Sequence, residues 1–545
     1  MANLIIDKKE FENYIKLSSE MIEKITMMGI PIEVSGNDVN IEVLPNRPDL
    51  LSLQGLVRAI KAFIGKEQGL KKYKTKSSGY KLIVEKSLPR EWPYAAACII
   101  KNLKFDDAKI KEAIQIQEKL GITLMRRRKK GGIGIYPLER ISFPVTFRGE
   151  SPDKIKFQPL EYPEAITGRQ ILSKHPTGRE YANICKDWSS LPIFVDSKGK
   201  IMSMPPIINS NDLGKIDETT KNIFIEATGT DYNLLKKTIN ILSTAFAEMG
   251  GEIYTIECIQ QDKRKESIPS FESEKIKINL ENVNNILGIN LQEKDLEKLL
   301  PRMGYDYKKN MVEIPPWRTD VLHEVDIIED IAIAYGYDKL EPIIPSISTI
   351  GQEGKESKIE RKVSEILTGL GLIEISSFHL IKEEEAKKGN IKEAEFIEVE
   401  NSKTDFKILR PNLLISAYRV FGENKDNEYP QKIFEIGTVF RKDIDGKSET
   451  GIGESKRLLI SISPSNFTEI KQTLDYLMRM LKIKYELKEE DCFGLIPGRT
   501  GKIVINGKKA GIMGESNIES LREWNIKMPV SLVEIDLEEI YKLIQ

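Results

Sequence analysis

The stretch PPWRTDVLHEVDIIEDIAIAYGY, residues 315–337, places apolar side chains at Val321, Val325, Ile328, Ala332 and Tyr335, in steps of four and three. That spacing predicts a helix of about four turns with one apolar stripe. Asp320 stands where an N-cap would stand, a position whose side-chain oxygen accepts from free backbone amides. Asp326, Glu329 and Asp330 follow at i, i+3 and i+4, a spacing that puts three carboxylates on one helix face. With Asp320 they form an oxygen-rich cluster suited to a hard cation, most simply Mg²⁺. The same pattern also fits a solvated acidic face near a helix N-terminus, where the macrodipole favours negative charge. Spacing alone favours that plainer reading.

Upstream lies a second informative pair of segments, IMSMPPIINSNDLG (201–214) and NIFIEATGTD (222–231). Pro205 and Pro206 remove two backbone donors and stiffen their loop. Phe224 to Thr228 alternates as a strand leading to Gly229. A stiff loop facing a strand end predicts a pocket lined by Ser203, Asn209, Glu226 and Thr228. Its hydroxyl, amide and carboxylate groups suit orientation of a water and recognition of a polar ligand. A buried turn satisfying its own backbone is the alternative. Further upstream, NRPDLLS (46–52) reads as a helix start, with Asp49 or Ser52 as the cap. The run Arg126–Lys130 holds five consecutive cations, including Arg126, Arg127 and Arg128. It suits either non-specific phosphate contact or a solvated loop.

The chain has 545 residues, enough for about three to four domains. Residues 1–85 read as a mixed α/β domain, with Phe11, Ile15, Ile22 and Ile25 on one helix ending at Gly29. Residues 86–265 read as a β-rich domain, closed by the amphipathic helix Asp231–Met249 and a charged linker, 261–275. Residues 274–345 form a small domain of two short helices, a strand and the acidic helix. Residues 350–545 form an α/β unit. Lys and Arg number 82 against 83 Asp and Glu, so any nucleic-acid surface is local rather than global. The beginning of the chain carries neither an apolar run nor a basic lead, and no segment reaches the ~20 apolar residues of a membrane span. Cys98, Cys185, Cys258 and Cys492 lie far apart, which predicts reduced thiols in a cytoplasmic protein rather than a zinc site or disulfides. Three histidines, His175, His323 and His379, give little support for a His-rich metal site or a Ser-His-Asp triad.

PxWRxD followed by DIIED and AYGY resembles the signature of the β subunit of phenylalanine–tRNA ligase, and NRPDLLS, PPIINS and FIEATGTD resemble further blocks of that family in the same order. The editing blocks and the short chain resemble its archaeal and eukaryotic branch. The resemblance implies Mg²⁺ ligands at Asp320, Asp326, Glu329 and Asp330. It implies an editing domain that hydrolyses tyrosine wrongly attached to tRNA(Phe), with Ser203, Glu226 and Thr228 in its site. It also implies a winged-helix-like small domain, and a class II ligase-like module without ligase chemistry. KIFEIGTVFR (432–441) resembles the second class II motif, and Arg441 is present. GRTGKIVINGKKAGIMGESN (498–517) lacks the family's ATP-binding Arg after its glycines and is not a phosphate loop of the GxxxxGK[ST] kind. The expected assembly is an (αβ)₂ tetramer that joins phenylalanine to tRNA(Phe) with ATP. Its synthetic site would lie in the α subunit, and this chain would supply tRNA contacts, α-subunit support and editing. Two other readings are a non-catalytic nucleic-acid-binding scaffold and a free-standing aminoacyl-tRNA deacylase.

Overall fold

The computed structural model describes residues 2–443, 446 and 448–544. The chain forms a mixed α/β protein of two compact units, Met1–Ile344 and Pro345–Gln545. No helix among the described residues is long and apolar enough to cross a membrane.

The first unit begins with a three-stranded antiparallel sheet in the order Ala2–Asp7, Asp38–Val43, Ile32–Ser35. The single helix expected over Phe11 to Ile25 is two helices, Lys8–Glu12 and Ser19–Met27. Ser18 restarts the backbone by accepting from the Met21 amide, a local bond that competes with continuation of the first helix. Ser52, not Asp49, caps the helix Leu53–Phe63. A Cβ on Gly55 would lie 2.0 Å from the Asp49 carbonyl oxygen, so the NRPD turn packs directly on the helix backbone.

A ten-stranded sheet dominates this unit. Its order is Ile208–Asn209, Ile201–Met204, Leu191–Val195, Val145–Glu150, Thr75–Val84, Glu252–Ile259, Tyr94–Lys101, Ile223–Gly229 and Gly131–Pro137, with Lys265–Ile268 also pairing with Glu252–Ile259. Thr75–Val84 pairs in parallel with both of its neighbours. It lies inside the segment assigned above to the N-terminal domain, so the sheet begins before residue 85. Only the end of this strand, Leu82 and Val84, is buried. Its polar first half therefore lacks the hydrophobic pattern that marks a strand. The helix Tyr232–Glu248 starts at the Asp231 cap and buries Leu235, Ile239, Leu242 and Phe246 in the core shared with the sheet.

The segment 274–337 has its own core, with Val283, Leu296, Leu300, Val312, Ile327 and Ile331 buried. Its elements are the strands Glu274–Lys277, Asp306–Lys308 and Met311–Ile314 and the helices Leu280–Leu287, Glu293–Arg302 and Glu324–Tyr335. The last helix starts later than expected. Its N-cap is His323, whose Nδ1 accepts from the Val325 amide at 3.2 Å, and not Asp320. Of the expected stripe, Val321, Ile328 and Ala332 are buried and Val325 is exposed, while Ile327, Ile331 and Ala334 widen the buried face.

The second unit holds a seven-stranded sheet in the order Ile373–Glu374, Gln431–Lys442, Ile452–Ser463, Ser531–Asp536, Lys508–Ser516, Leu495–Ile505, Glu486–Glu489. Asn506 and Gly507, at φ 49° and 77°, make a two-residue turn between Leu495–Ile505 and Lys508–Ser516, as tight hairpins require. The glycine-rich segment 498–517 is therefore hairpin rather than phosphate loop. Arg410 and Glu435 form an ion pair of 2.7 Å, each almost wholly buried.

Candidate active site

On the strand Ile223–Gly229, side chains alternate between the two faces of the sheet, so Phe224, Glu226 and Thr228 share one face. The strand Gly131–Pro137 sets Tyr136 opposite Phe224, Gly134 opposite Glu226 and Gly132 opposite Thr228. The other flanking strand, Tyr94–Lys101, sets Ala97 opposite Glu226 and Ala95 opposite Thr228. The two polar side chains thus stand between glycines on one side and alanines on the other. This small-residue floor is required by the packing. A Cβ on Gly134 would lie 2.4 Å from Glu226 Oε1 and 2.4 Å from the Tyr136 hydroxyl. A Cβ on Gly132 would lie 3.2 Å from Pro206 Cα, so the diproline loop closes over the same floor.

That loop contributes the remaining polar groups. Ser203 pairs with Asn209 across the strands Ile201–Met204 and Ile208–Asn209. The Tyr136 hydroxyl lies 3.1 Å from Glu226 Oε1 and 3.2 Å from Asn209 Oδ1. Ser203, Glu226 and Thr228 are each at most 2 % exposed. Ser203 Oγ, Ser210 Oγ, Glu226 Oε2 and Thr228 Oγ1 are all buried without a hydrogen-bond partner. One unsatisfied buried polar group costs about 1–3 kcal/mol. Those of Ser203, Glu226 and Thr228 are open to a ligand that supplies their partners.

Of these residues, Ser203, Asn209, Glu226 and Thr228 were legible in the sequence. Tyr136, Gly132 and Gly134 join them only in the structure. The available signal was GGIG (131–134), glycines recurring within a strand, a mark of close backbone approach. Arg128 has a defined structural part. Its Nη1 donates to the carbonyls of Pro206 and Ile207 at 3.1 and 2.9 Å, and its guanidinium lies 4.4 Å from the Tyr181 ring centre. Arg126 and Arg127 are exposed.

Burial pushes the Glu226 carboxyl up to about 8, against a smaller opposing effect of the Tyr136 hydrogen bond. Burial and the neighbouring Glu226 charge hold the Tyr136 phenol well above its usual range. Between about pH 4.5 and 8 the folded chain keeps a proton on Glu226 that the unfolded chain has lost. The stability supplied by this group is therefore fully present at low pH and is lost as pH rises through that window. Glu226→Gln should remove this slope, so the mutant gains on the wild type as pH rises, by up to about 1.4 kcal/mol per pH unit. Paired urea denaturations at pH 5, 6.5 and 8 would measure it; parallel curves for the two proteins would show that Glu226 is ionised throughout.

The four carboxylates expected to share a cation are otherwise engaged. Arg318 holds Asp320 through two bonds of 2.9 and 2.7 Å and Asp330 through one of 2.8 Å. Asp330 also accepts from the Tyr305 hydroxyl. Asp326 accepts from the amides of Leu322 and His323 at 2.7 and 2.8 Å. Glu329 is exposed. Among the described residues no group of three or more His, Cys, Asp or Glu is gathered as a metal-ligand set. As arranged, these four residues do not fit one Mg²⁺. The physical reason is Arg318, whose guanidinium neutralises two of the four. The sequence reading treated it as part of the signature rather than as a competitor for the carboxylates.

Residues 340–537 match the family described as the phenylalanyl tRNA synthetase beta chain CLM domain, and residues 276–337 match the tRNA synthetase B5 domain. The phenylalanine–tRNA ligase beta subunit of Pyrococcus horikoshii is 36 % identical over 505 residues, covering 91 % of this chain and 90 % of that protein. The beta subunit of Archaeoglobus fulgidus is 34 % identical over 531 residues, covering 96 % and 95 %. Among solved structures, an N-terminal fragment of the Pyrococcus horikoshii beta subunit aligns with a TM-score of 0.59 at 32 % identity. The alignment spans 61 % of this chain and 99 % of the fragment.

Proposed function

Because the chain belongs to the family of phenylalanine–tRNA ligase β subunits, we propose that it works beside an α subunit in an (αβ)₂ complex that joins phenylalanine to tRNA(Phe) with ATP, and that its own site hydrolyses Tyr-tRNA(Phe). The observation that carries the hydrolytic reading is the set of three buried, unpartnered polar atoms of Ser203, Glu226 and Thr228. A pocket selective for phenylalanine only weakly rejects an amino acid that merely adds a hydroxyl, whereas a second site that hydrogen-bonds that hydroxyl discriminates strongly. Here Glu226 Oε2 reads the phenolic hydroxyl, and Thr228 and Ser203 hold the reacting end. Water adds to the ester carbonyl, the bond to the ribose oxygen breaks, and that oxygen takes up a proton. Tyrosine and tRNA(Phe) leave. No side chain here is a ready general base at neutral pH, because burial favours the protonated form of Glu226. The attack therefore leans on the tRNA ribose.

The ATP-dependent step belongs to the α partner in this reading. The hairpin turn at Asn506-Gly507 and the absence of an ATP-gripping Arg after the glycines of segment 498–517 support a non-catalytic, class II ligase-like role for residues 350–545. The segment 274–345 is read as the winged-helix-like domain, and Arg126 and Arg127 as exposed cations available to tRNA phosphate.

The test is hydrolysis of Tyr-tRNA(Phe) by the chain with and without an α subunit, beside Glu226→Ala and Thr228→Ala. We expect hydrolysis by the complex to fall about 100-fold or more in each mutant while phenylalanylation persists, in line with the weight of one well-placed catalytic donor. Hydrolysis at the wild-type rate in both mutants would move the site elsewhere.

A further inference from the structure

Tyr136 stands where three elements of the site meet. It lies across the sheet from Phe224 on the site strand, and its hydroxyl reaches Glu226 on that strand and Asn209 from the diproline loop. The contact is built rather than incidental. Any residue with a Cβ at position 134 would lie 2.4 Å from both the hydroxyl and the carboxylate oxygen.

We propose that Tyr136 is a positioning residue of the hydrolytic site, fixing the Glu226 carboxyl so that selectivity for a phenolic side chain depends on the two together. The proposal rests on the reading of this site as a Tyr-tRNA hydrolase. A tyrosine hydroxyl has one proton, yet two acceptors lie within 3.2 Å of it, Glu226 Oε1 and Asn209 Oδ1. The hydroxyl donates towards both, and its bond to Oε1 fixes which carboxyl oxygen stays open. Oε2 is left buried and unpartnered. The hydroxyl of a tyrosyl ester supplies the missing partner. A phenylalanyl ester presents a C–H and leaves Oε2 unsatisfied, which is the penalty that separates the two.

The groups set around the carboxyl are Tyr136 and Gly134 on one flanking strand, Ala95 and Ala97 on the other, and Ser203 and Asn209 from the loop. Tyr136 is the titratable member of that set. The Tyr136 hydrogen bond also acts to lower the Glu226 carboxyl, so removing the hydroxyl moves its titration upward.

The experiment uses Tyr136→Phe, which keeps the ring, in the complex with an α subunit. Two quantities are read. The first is the ratio of kcat/KM for Tyr-tRNA(Phe) over Phe-tRNA(Phe). The second is the Glu226 titration midpoint, taken from carboxyl NMR of labelled protein against a Glu226→Gln control. We expect the ratio to fall about tenfold, the weight of one hydrogen bond, and the midpoint to rise. A purely packing role moves neither. Wild-type hydrolysis with an unchanged ratio in Tyr136→Phe would overturn this proposal alone. A wild-type complex that hydrolyses neither substrate would overturn the hydrolytic reading beneath it. An unmoved midpoint would overturn the Tyr136–Glu226 coupling whatever the activity.

Discussion

Gly134→Ala is expected to abolish hydrolysis of Tyr-tRNA(Phe) and to lower the stability of the chain by about 2 kcal/mol, the usual cost of overpacking a buried site. The new methyl would stand 2.4 Å from Glu226 Oε1, 2.4 Å from the Tyr136 hydroxyl and 2.7 Å from a Tyr136 ring carbon. All three belong to buried side chains, and neither can withdraw without breaking their shared bond. A graded series makes the comparison informative. Gly132→Ala meets Pro206 at 3.2 Å and Thr228 Oγ1 at 3.7 Å, a tight approach that a small shift of the loop relieves. It should weaken hydrolysis without abolishing it. Gly121→Ala, within the helix Asp107–Ile122 and with nothing inside 4 Å, should be neutral or stabilising by up to about 1 kcal/mol. Hydrolysis rates and urea midpoints for the three mutants would test the order. Full activity in Gly134→Ala would mean that the Tyr136–Glu226 contact is not part of the working site.

The second large effect lies at Arg318. Two R-x-D segments face one another in the first unit: Arg47-Pro48-Asp49 and Arg318-Thr319-Asp320. Each closes its own two-bonded fork, Arg47 to Asp49 at 2.8 and 2.9 Å and Arg318 to Asp320 at 2.9 and 2.7 Å. Burial acts to raise the Asp49 carboxyl, but Arg47, and behind it Arg318 and Arg58, outweigh it and hold the group below its usual range. A cavity of about 150 Å³ lies against this array, with Arg58 packed 4.3 Å over the Trp317 ring. Arg318→Met keeps much of the side-chain bulk but strands Asp320 and Asp330 without their cation. Breaking a buried pair in this way costs about 3–5 kcal/mol, so a large drop in the urea midpoint is expected. Chelation of the wild-type chain should leave that midpoint unchanged, because Arg318 already pairs with Asp320 and Asp330. A chelator-induced loss as large as that of Arg318→Met would reverse the assignment.

The readable part of the site was the part carried by side-chain identity. Ser203, Glu226 and Thr228 stand in short polar segments beside a diproline, where hydroxyl and carboxyl groups are conspicuous. Gly132 and Gly134 work through the atoms they lack, and a strand interrupted by glycine reads as a weak strand. Tyr136 reads as one more aromatic on an apolar strand until register places it opposite Phe224, two residues along from the Gly134–Glu226 pair. The acidic helix misled for a different reason. Periodicity found the helix but not the three-residue delay to His323, because Asp320 had a partner two residues behind it in Arg318. Pairing within R-x-D is local in sequence, yet helical spacing does not encode it. The early start of the large sheet was hidden because the first half of Thr75–Val84 is polar and mostly exposed.

The two outer strands of the large sheet, Gly131–Pro137 and Ile208–Asn209, have no main-chain ladder to each other. Tyr136 to Asn209, and Arg128 to the carbonyls of Pro206 and Ile207, span the gap with side chains alone. A ring fastened that way has a latch. Parting it costs a few side-chain hydrogen bonds, each worth about 1 kcal/mol net, and leaves every strand pair intact. Local openings of this size are far more frequent than global unfolding. The bonds that orient the buried carboxyl are therefore also the ones whose opening would expose it to a substrate.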